Sequence, residues 1–340
     1  MGKHVVEWRS QPIQPEAIRG EVARLFTKRL DRTRPLWRID VIPLATGGSA
    51  VVWRLHHTLA DGSTAMRYAR ALLWDAQADD TTSLHAAHDR VTDRHDERRR
   101  QMHMARFFAR EFGRTRPPFD DAVGVRREVA FGRLPLTSLH RASKQLAGAT
   151  VNDAVVSAVG GGLRNWLERR HGHLGRVRVK VPVSLHDPGH DTSNADSFFF
   201  VSVPLEHEDP VRRLQAVHAA TATRKAEHDA ETMDRVLRDL RAVSPRLASF
   251  CERIERSARA FALNVSNVPG PREPVAICGA RVGSLHSIAE IAEHHAVRVA
   301  AVSLGDELFL GFCADPAIVD DVGSMAEATE DEAAKLIAAA

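Results

Sequence analysis

The sequence predicts an α/β protein of two lobes, built from mixed sheets with flanking helices. Three observations carry that prediction. The chain has 340 residues, of which 44% are hydrophobic, enough for two domains or for one large domain made of two lobes. Short apolar segments with strand alternation recur in pairs, 37–42 with 50–55 in the front part and 297–304 with 307–314 near the end. Longer stretches with helical periodicity lie between them.

In the front part, Glu16 to Leu30 reads as a helix with Ile18, Val22, Leu25 and Phe26 on one face. Strands 37–42 and 50–55 follow around a turn at Gly47-Gly48. The second strand runs directly into His56-His57. Asp61-Gly62-Ser63 then opens a helix predicted to carry Met66, Ala69, Leu72 and Leu73 inward. The composition changes near Asp79. From there the chain is rich in Arg, His and Asp, with an Arg98-Arg99-Arg100 run and a Pro117-Pro118 pair. This predicts a solvated crossover over 79–125, between a front lobe of residues 1–78 and a back lobe of residues 126–340. Within the crossover, Met102, Phe107, Phe108 and Phe112 stand among Arg106, Arg110 and Arg114. Such a basic amphipathic stretch suits docking on its own protein or resting on an anionic membrane surface.

The back lobe opens on a strand near Arg127 to Phe131. A long helix is predicted from Val151 to Arg169, capped by Thr150 with Asp153 three residues on, and with Val155, Val159, Leu163 and Trp166 as its apolar face. Gly160-Gly161-Gly162 in its middle costs about 1 kcal/mol per glycine relative to Ala, so a neighbouring backbone or a ligand is expected to pack close there. Val177, Val179, Val181 and Val183 alternate strictly as a strand, and Phe198 to Pro204 form another. Asp209-Pro210 caps a further helix, and helix is predicted for much of 229–262. Gly305-Asp306 joins the last two strands in a tight hairpin.

Composition excludes several function classes. The 47 Lys and Arg nearly cancel 44 Asp and Glu, a formal net of +3, without the one-sided clustering of a nucleic-acid binder. Cys251, Cys278 and Cys313 lie far apart and form no disulfide framework, which points to a reducing, cytoplasmic compartment. The N-terminus has no apolar signal region, and no stretch has the apolar length that crosses a bilayer. The protein is expected to be soluble or peripheral to a membrane.

The residues placed for chemistry are His56-His57 at a strand end and Asp61-Gly62 at a helix start. A neutral imidazole there can take the proton of an alcohol attacking a thioester, and the imidazolium can protonate the departing thiolate. Alcohols are weak nucleophiles at neutral pH, so such a base is needed, whereas metal and covalent enzyme intermediates are not. The plainer reading makes Asp61 a helix N-cap and Gly62 a turn residue. Asp61 is read here as structural, holding the turn that aims His57. His56, on the opposite face by alternation, is read as packing or hydrogen-bond support. A metal site on His57 and Asp61 lacks a third ligand at a suitable spacing. The pairs His294-His295 and His171/His173 and the loop residues His186 and His190 have no catalytic partner in the sequence.

The string HHxxxDG, here His56 to Gly62, is shared by the chloramphenicol acetyltransferase-like superfamily of acyltransferases. Further blocks resemble one branch of it, the bacterial wax ester synthase/diacylglycerol acyltransferases. Leu30 to Trp37 resembles the block upstream of the histidines, Thr150-Val151-Asn152-Asp153 the opening of the long helix, Val179 to Ser184 a strand end, and Asn267 to Pro271 an NVPGP turn. Their order and approximate spacing agree over nearly the whole chain.

The resemblance implies two chloramphenicol acetyltransferase-like lobes with an active-site tunnel between them. It implies acyl-CoA as co-substrate, no cofactor, and diacylglycerol or a long-chain alcohol as acceptor. His57 matches the catalytic histidine and Asp61 its orienting aspartate. Asn152 and Asp153 match a supporting motif, and Asn267 lies in a turn near the site. Ser266 beside it is a candidate oxyanion donor, although a Ser before a turn more often bonds backbone. Members of the family begin ahead of the point matched by Met1, so this chain is expected to lack their front section. The alternatives are a non-catalytic lipid- or CoA-binding relative, and an amide-forming enzyme like the condensation domains of peptide synthetases.

Overall fold

The computed structural model describes residues 4–8, 11–75, 118–119, 121–184, 196–227, 260–291 and 294–340. The basic stretch 98–112, the loop histidines His186 and His190, Cys251 and the helical prediction for 229–259 lie outside these residues.

Two main sheets organise the described residues. The first has three strands in the order β1 (Val5–Glu7), β2 (Trp37–Pro43), β3 (Ser49–Leu55), parallel at β1–β2 and antiparallel at β2–β3. Helix α1 (Ile18–Phe26) covers one face, buries Val22, Ala23 and Leu25, and is preceded by a 3-10 turn at Pro15–Ala17. It is shorter than the predicted 16–30. Arg54 of β3 ends it, donating to the carbonyls of Leu25 (2.8 Å) and Lys28 (3.1 Å). The same guanidinium reaches Asp40 of β2 at 3.2 Å. Asp40 is fully buried; burial opposes its charge, but bonds from Arg38 and Trp8 and the nearby cations hold its carboxyl below the usual range.

The second sheet has six strands in the order β4 (Glu128–Pro135), β11 (Glu307–Ala314), β10 (Val297–Leu304), β7 (Leu263–Val268), β5 (Arg176–Ser184), β6 (Asp196–Pro204). β7 is parallel to both β5 and β10, while the other pairs are antiparallel, so the sheet is mixed as predicted. A small hairpin of β8 (Ala276–Ile277) and β9 (Ala280–Arg281) stands apart.

Among the described residues, four helices cover one face of this sheet: α3 (Leu136–Ala147), α4 (Val151–Glu168), α5 (Pro210–Ala226) and α6 (Val322–Ala338). The main core lies between them and the inward residues of the strands, including Val179, Val201, Val265, Val299, Leu310 and Phe312. The predicted apolar face of α4 is buried throughout. Its glycine run meets protein: a Cβ on Gly162 would lie 2.7 Å from the Met325 carbonyl of α6, and one on Gly161 2.6 Å from the Arg213 guanidinium. Gly162 is thus closed in by α6, Gly161 by Arg213 of α5 and Glu332 of α6, and Gly160 by Val203 of β6. Arg213 in turn pairs with Glu332 of α6 in the interior.

The other face of the sheet carries the front part of the chain. Val22 and Ala23 of α1 pack on Val129 of β4, with Phe131, Val52 and Ile288 around them. Helix α2 (Gly62–Leu72) lies on the β10–β11 side, where Met66 and Trp74 meet Val302, Leu304, Phe309 and Val275. Leu72, predicted inward, is 72% exposed, because the sheet contact runs through Met66 and then Trp74 beyond the helix end. Residues 260–262, at the end of the predicted 229–262 helix, instead lead into β7, with Ala262 N–H donating to the Arg178 carbonyl at 2.8 Å.

Candidate active site

β3 ends at Leu55 and the chain turns at once. His56 N–H donates to the Leu36 carbonyl, and the His56 carbonyl accepts from Leu59 N–H, both at 2.9 Å. The His56 ring folds back on the turn: Nδ1 accepts from Thr58 N–H at 3.2 Å and lies 2.8 Å from the Thr58 hydroxyl. His57 stands exposed at the middle of the turn. The turn then dives inward, with Ala60 and Asp61 buried.

Asp61 caps α2. Its carboxylate accepts from Thr64 N–H at 2.7 Å and from the Ser63 hydroxyl at 3.0 Å, and the residue is 1% exposed. A cap of this kind satisfies a backbone donor that the first helical turn leaves open. The fixed helix start in turn fixes the turn before it, which carries His57.

Gly62 is the first residue of that helix, and it presses against the second sheet. A Cβ there would sit 2.7 Å from Cγ2 of Val268 at the end of β7. Leu263 and Val265 of β7 point into the main core, so Asn264, Ser266 and Val268 face the opposite side by alternation. Half-buried Ser266 therefore shares a strand face with the valine that touches the HHxxxDG turn. It lies within the strand, paired with Ala300, and the turn begins only after Val268; Asn267, read from the sequence as part of the turn, is in the strand too. Asn267 turns to the core side. The Pro269–Pro271 turn that follows is tied to β10 and beyond: Gly270 N–H donates to the Ser303 hydroxyl, and Gly305 N–H to the Pro271 carbonyl, each at 2.9 Å.

Asn152 and Asp153 are not gathered at this turn. They open α4, on the helical face of the six-stranded sheet, whereas α2 sits on the other. Asp153 is buried and completes the predicted capping box, accepting from Thr150 N–H at 3.0 Å. It also binds the Thr221 hydroxyl (2.7 Å) and His218 Nδ1 (2.9 Å) of α5. Burial opposes its charge, but these bonds outweigh it and hold the carboxyl below the usual range. Its support is thus to the join of α4 and α5. The sequence reading missed His218 and Thr221, which no local pattern announces, and it named Val268 only as part of the NVPGP block, not as the residue that meets Gly62.

Of the other histidines, His294 is in a turn, while His295 is buried and stacks on Phe261 at 3.7 Å between ring centroids. His171 occupies the left-handed region at the end of α4. Cys278 and Cys313 are both free thiols, and burial pushes that of Cys313 up to about 12.

With this geometry in view, two models of one family match the sequence. The wax ester synthase/diacylglycerol acyltransferase catalytic domain matches residues 1–109, and the C-terminal domain of the same family matches residues 192–336. The chain belongs to the wax ester synthase/diacylglycerol acyltransferase family. Its activity class is acyl transfer. The probable diacylglycerol O-acyltransferase tgs1 of Mycobacterium tuberculosis is 27% identical over 370 residues, which take in 99% of this chain and 79% of that protein. The solved wax ester synthase/diacylglycerol acyltransferase of Marinobacter aquaeolei VT8 superposes with a TM-score of 0.71 at 21% identity, over 98% of this chain and 78% of that one. The first condensation domain of the calcium-dependent antibiotic synthetase superposes at 0.56 with 16% identity, over 98% and 76% of the respective chains. At these identities the superpositions establish the fold, mixed sheets with flanking helices, as expected from the sequence.

Proposed function

We propose that this acyltransferase moves a long-chain acyl group from acyl-CoA to diacylglycerol or a fatty alcohol, with His57 as general base. The observation that carries the reading is the placement of His57: exposed in a turn that is locked by the Asp61 cap and pressed against the second sheet at Gly62. The strand leading to it suits an aliphatic substrate. Val51, Trp53 and Leu55 of β3 pair with Val41, Ile39 and Trp37 of β2, which makes an apolar, incompletely buried sheet face running toward the turn.

The neutral imidazole of His57 takes the acceptor hydroxyl proton as the oxygen attacks the thioester carbonyl. A C–O bond forms, negative charge develops on the carbonyl oxygen, and Ser266 on the facing strand is the candidate donor to it. The C–S bond then breaks and the imidazolium returns its proton to the CoA thiolate. The thioester brings its own activation, so the step calls for no cofactor. Asp61 acts by fixing the turn.

Acceptors of this class partition into membranes. No helix among the described residues is long and apolar enough to cross one, and the proposed contact is peripheral, with the Arg98 to Phe112 stretch as the surface. Co-sedimentation with anionic vesicles that salt does not weaken would speak against it, since charge attraction is screened within about 8 Å at physiological ionic strength.

The activity is tested by thiol release from palmitoyl-CoA in the presence of diacylglycerol or hexadecanol. His57→Ala should lose on the order of a hundredfold to ten-thousandfold in turnover while keeping CoA binding. Near-normal turnover in that variant removes His57 from the mechanism.

A further inference from the structure

Helix α2 belongs in sequence to the front of the chain, but both of its ends are fixed by the back. At the N-terminal end Gly62 abuts Val268. Along its length Met66, and Trp74 just beyond it, pack on Val275, Val302, Leu304 and Phe309. Beyond the C-terminal end Asp75 closes a three-bond junction with the β8–β9 hairpin. Its N–H donates to the Ala276 carbonyl at 2.8 Å, and its two carboxylate oxygens accept from Cys278 N–H and Gly279 N–H, each at 2.8 Å. Cys278 and Gly279 form the tip of the hairpin, and both have positive φ, 50° and 79°. In that conformation successive N–H groups converge on one side, a concave donor pair that suits a carboxylate.

We propose that Asp75 is a positioning residue for acyl transfer: by holding the hairpin tip it sets how α2 lies on the second sheet, and so where the His57 turn stands relative to Ser266. The link is mechanical. The rigid unit from Asp61 to Asp75 is one capped helix with a short extension, pinned at its two ends and packed between them. With the Asp75 carboxylate removed, the hairpin tip loses a charged acceptor for two N–H groups, and of the three bonds only that from Asp75 N–H to the Ala276 carbonyl remains. Asp75 touches neither His57 nor Ser266 in this arrangement. Its exposed position at the surface makes its effect on global stability small beside its effect on the placement of α2.

The inference rests on the acyl-transfer reading for its kinetic arm only. Asp75→Ala is expected to lower kcat by about tenfold, within the hundredfold that a misplacement of about 1 Å can cost, with KM for palmitoyl-CoA within about twofold of wild type. Asp75→Asn keeps one oxygen acceptor, and should recover part of the loss. A second readout does not depend on activity: the rate at which diethyl pyrocarbonate modifies His57, followed by mass spectrometry, should change in Asp75→Ala while that of exposed His140 does not. A wild-type kcat in Asp75→Ala overturns the proposal. So does a fall in kcat that merely follows a fall in melting temperature in both variants, with the His57 modification rate unmoved. If the wild-type protein proves inactive on these substrates, the functional reading fails, and the His57 rate alone decides the role of Asp75.

Discussion

Gly62 and Val268 meet where the HHxxxDG turn touches the second sheet, at a separation that leaves no room for a side chain on the glycine: a Cβ would lie 2.7 Å from Val268 Cγ2. Valine is stiff about χ1, so the contact is not relieved by a flexible tip swinging away. The glycine is required here by proximity, in a helix that by itself would prefer alanine.

Gly62→Ala should therefore destabilise the protein despite its better helix propensity, by about 1–3 kcal/mol as for an overpacked interior, and should reduce turnover by displacing the His57 turn. Val268→Ala removes the obstructing methyls. The double variant Gly62→Ala/Val268→Ala should regain melting temperature and turnover relative to Gly62→Ala, a coupling that a double-mutant cycle measures directly. Additive losses across the cycle would mean that Val268 is not what excludes the side chain.

Asp61 offers a way to separate capping from charge. Asp61→Ala removes the acceptor for Thr64 N–H in a fully buried position, and should cost about 0.5–2 kcal/mol from the cap, with turnover falling alongside. Asp61→Asn keeps an oxygen at the same place, and asparagine caps about as well as aspartate. It should stay close to wild type in melting temperature and keep most of its turnover. Full stability with abolished turnover in Asp61→Asn would show that the negative charge itself is needed, and the role of Asp61 would extend beyond shaping the turn.

What was legible in the sequence was local. The strand before His56, the turn, the Asp61 cap and the helix after it are written in adjacent residues, and so are the Thr150–Asp153 capping box and the Gly305-Asp306 hairpin. The glycine run 160–162 announced close neighbours, but their identities, in β6, α5 and α6, lie far along the chain and leave no local trace. The same holds for Val268 against Gly62 and for Asp75 against the hairpin tip, since each contact is made by packing between distant segments. Leu72 was misplaced because the packed side of α2 runs from Met66 to Trp74, and Leu72 lies a third of a turn away from Met66. Asn267 was read into the turn because Pro269 and Gly270 dominate the local signal, although pairing with β10 carries the strand through to Val268.

The acid limb of stability should carry the signature of Asp153. Its folded carboxyl lies below its ordinary value because bonds from Thr150, His218 and Thr221 outweigh the opposition of burial. A depressed carboxylate contributes stability that is fully present above its unfolded value, about 3.9, and is lost as pH falls through that value toward the lower folded one. Asp153→Asn cannot make this charge-assisted set, and should lower stability at neutral pH by about 1–3 kcal/mol. Because the wild-type advantage depends on ionised Asp153, the gap between the two proteins should stay constant from neutral pH down to about 5 and close below about pH 4. Urea unfolding of both proteins at a series of pH values measures it. Curves that remain parallel down to pH 3 would mean that the carboxylate charge adds nothing to the join of α4 and α5, leaving only the capping oxygen to act there.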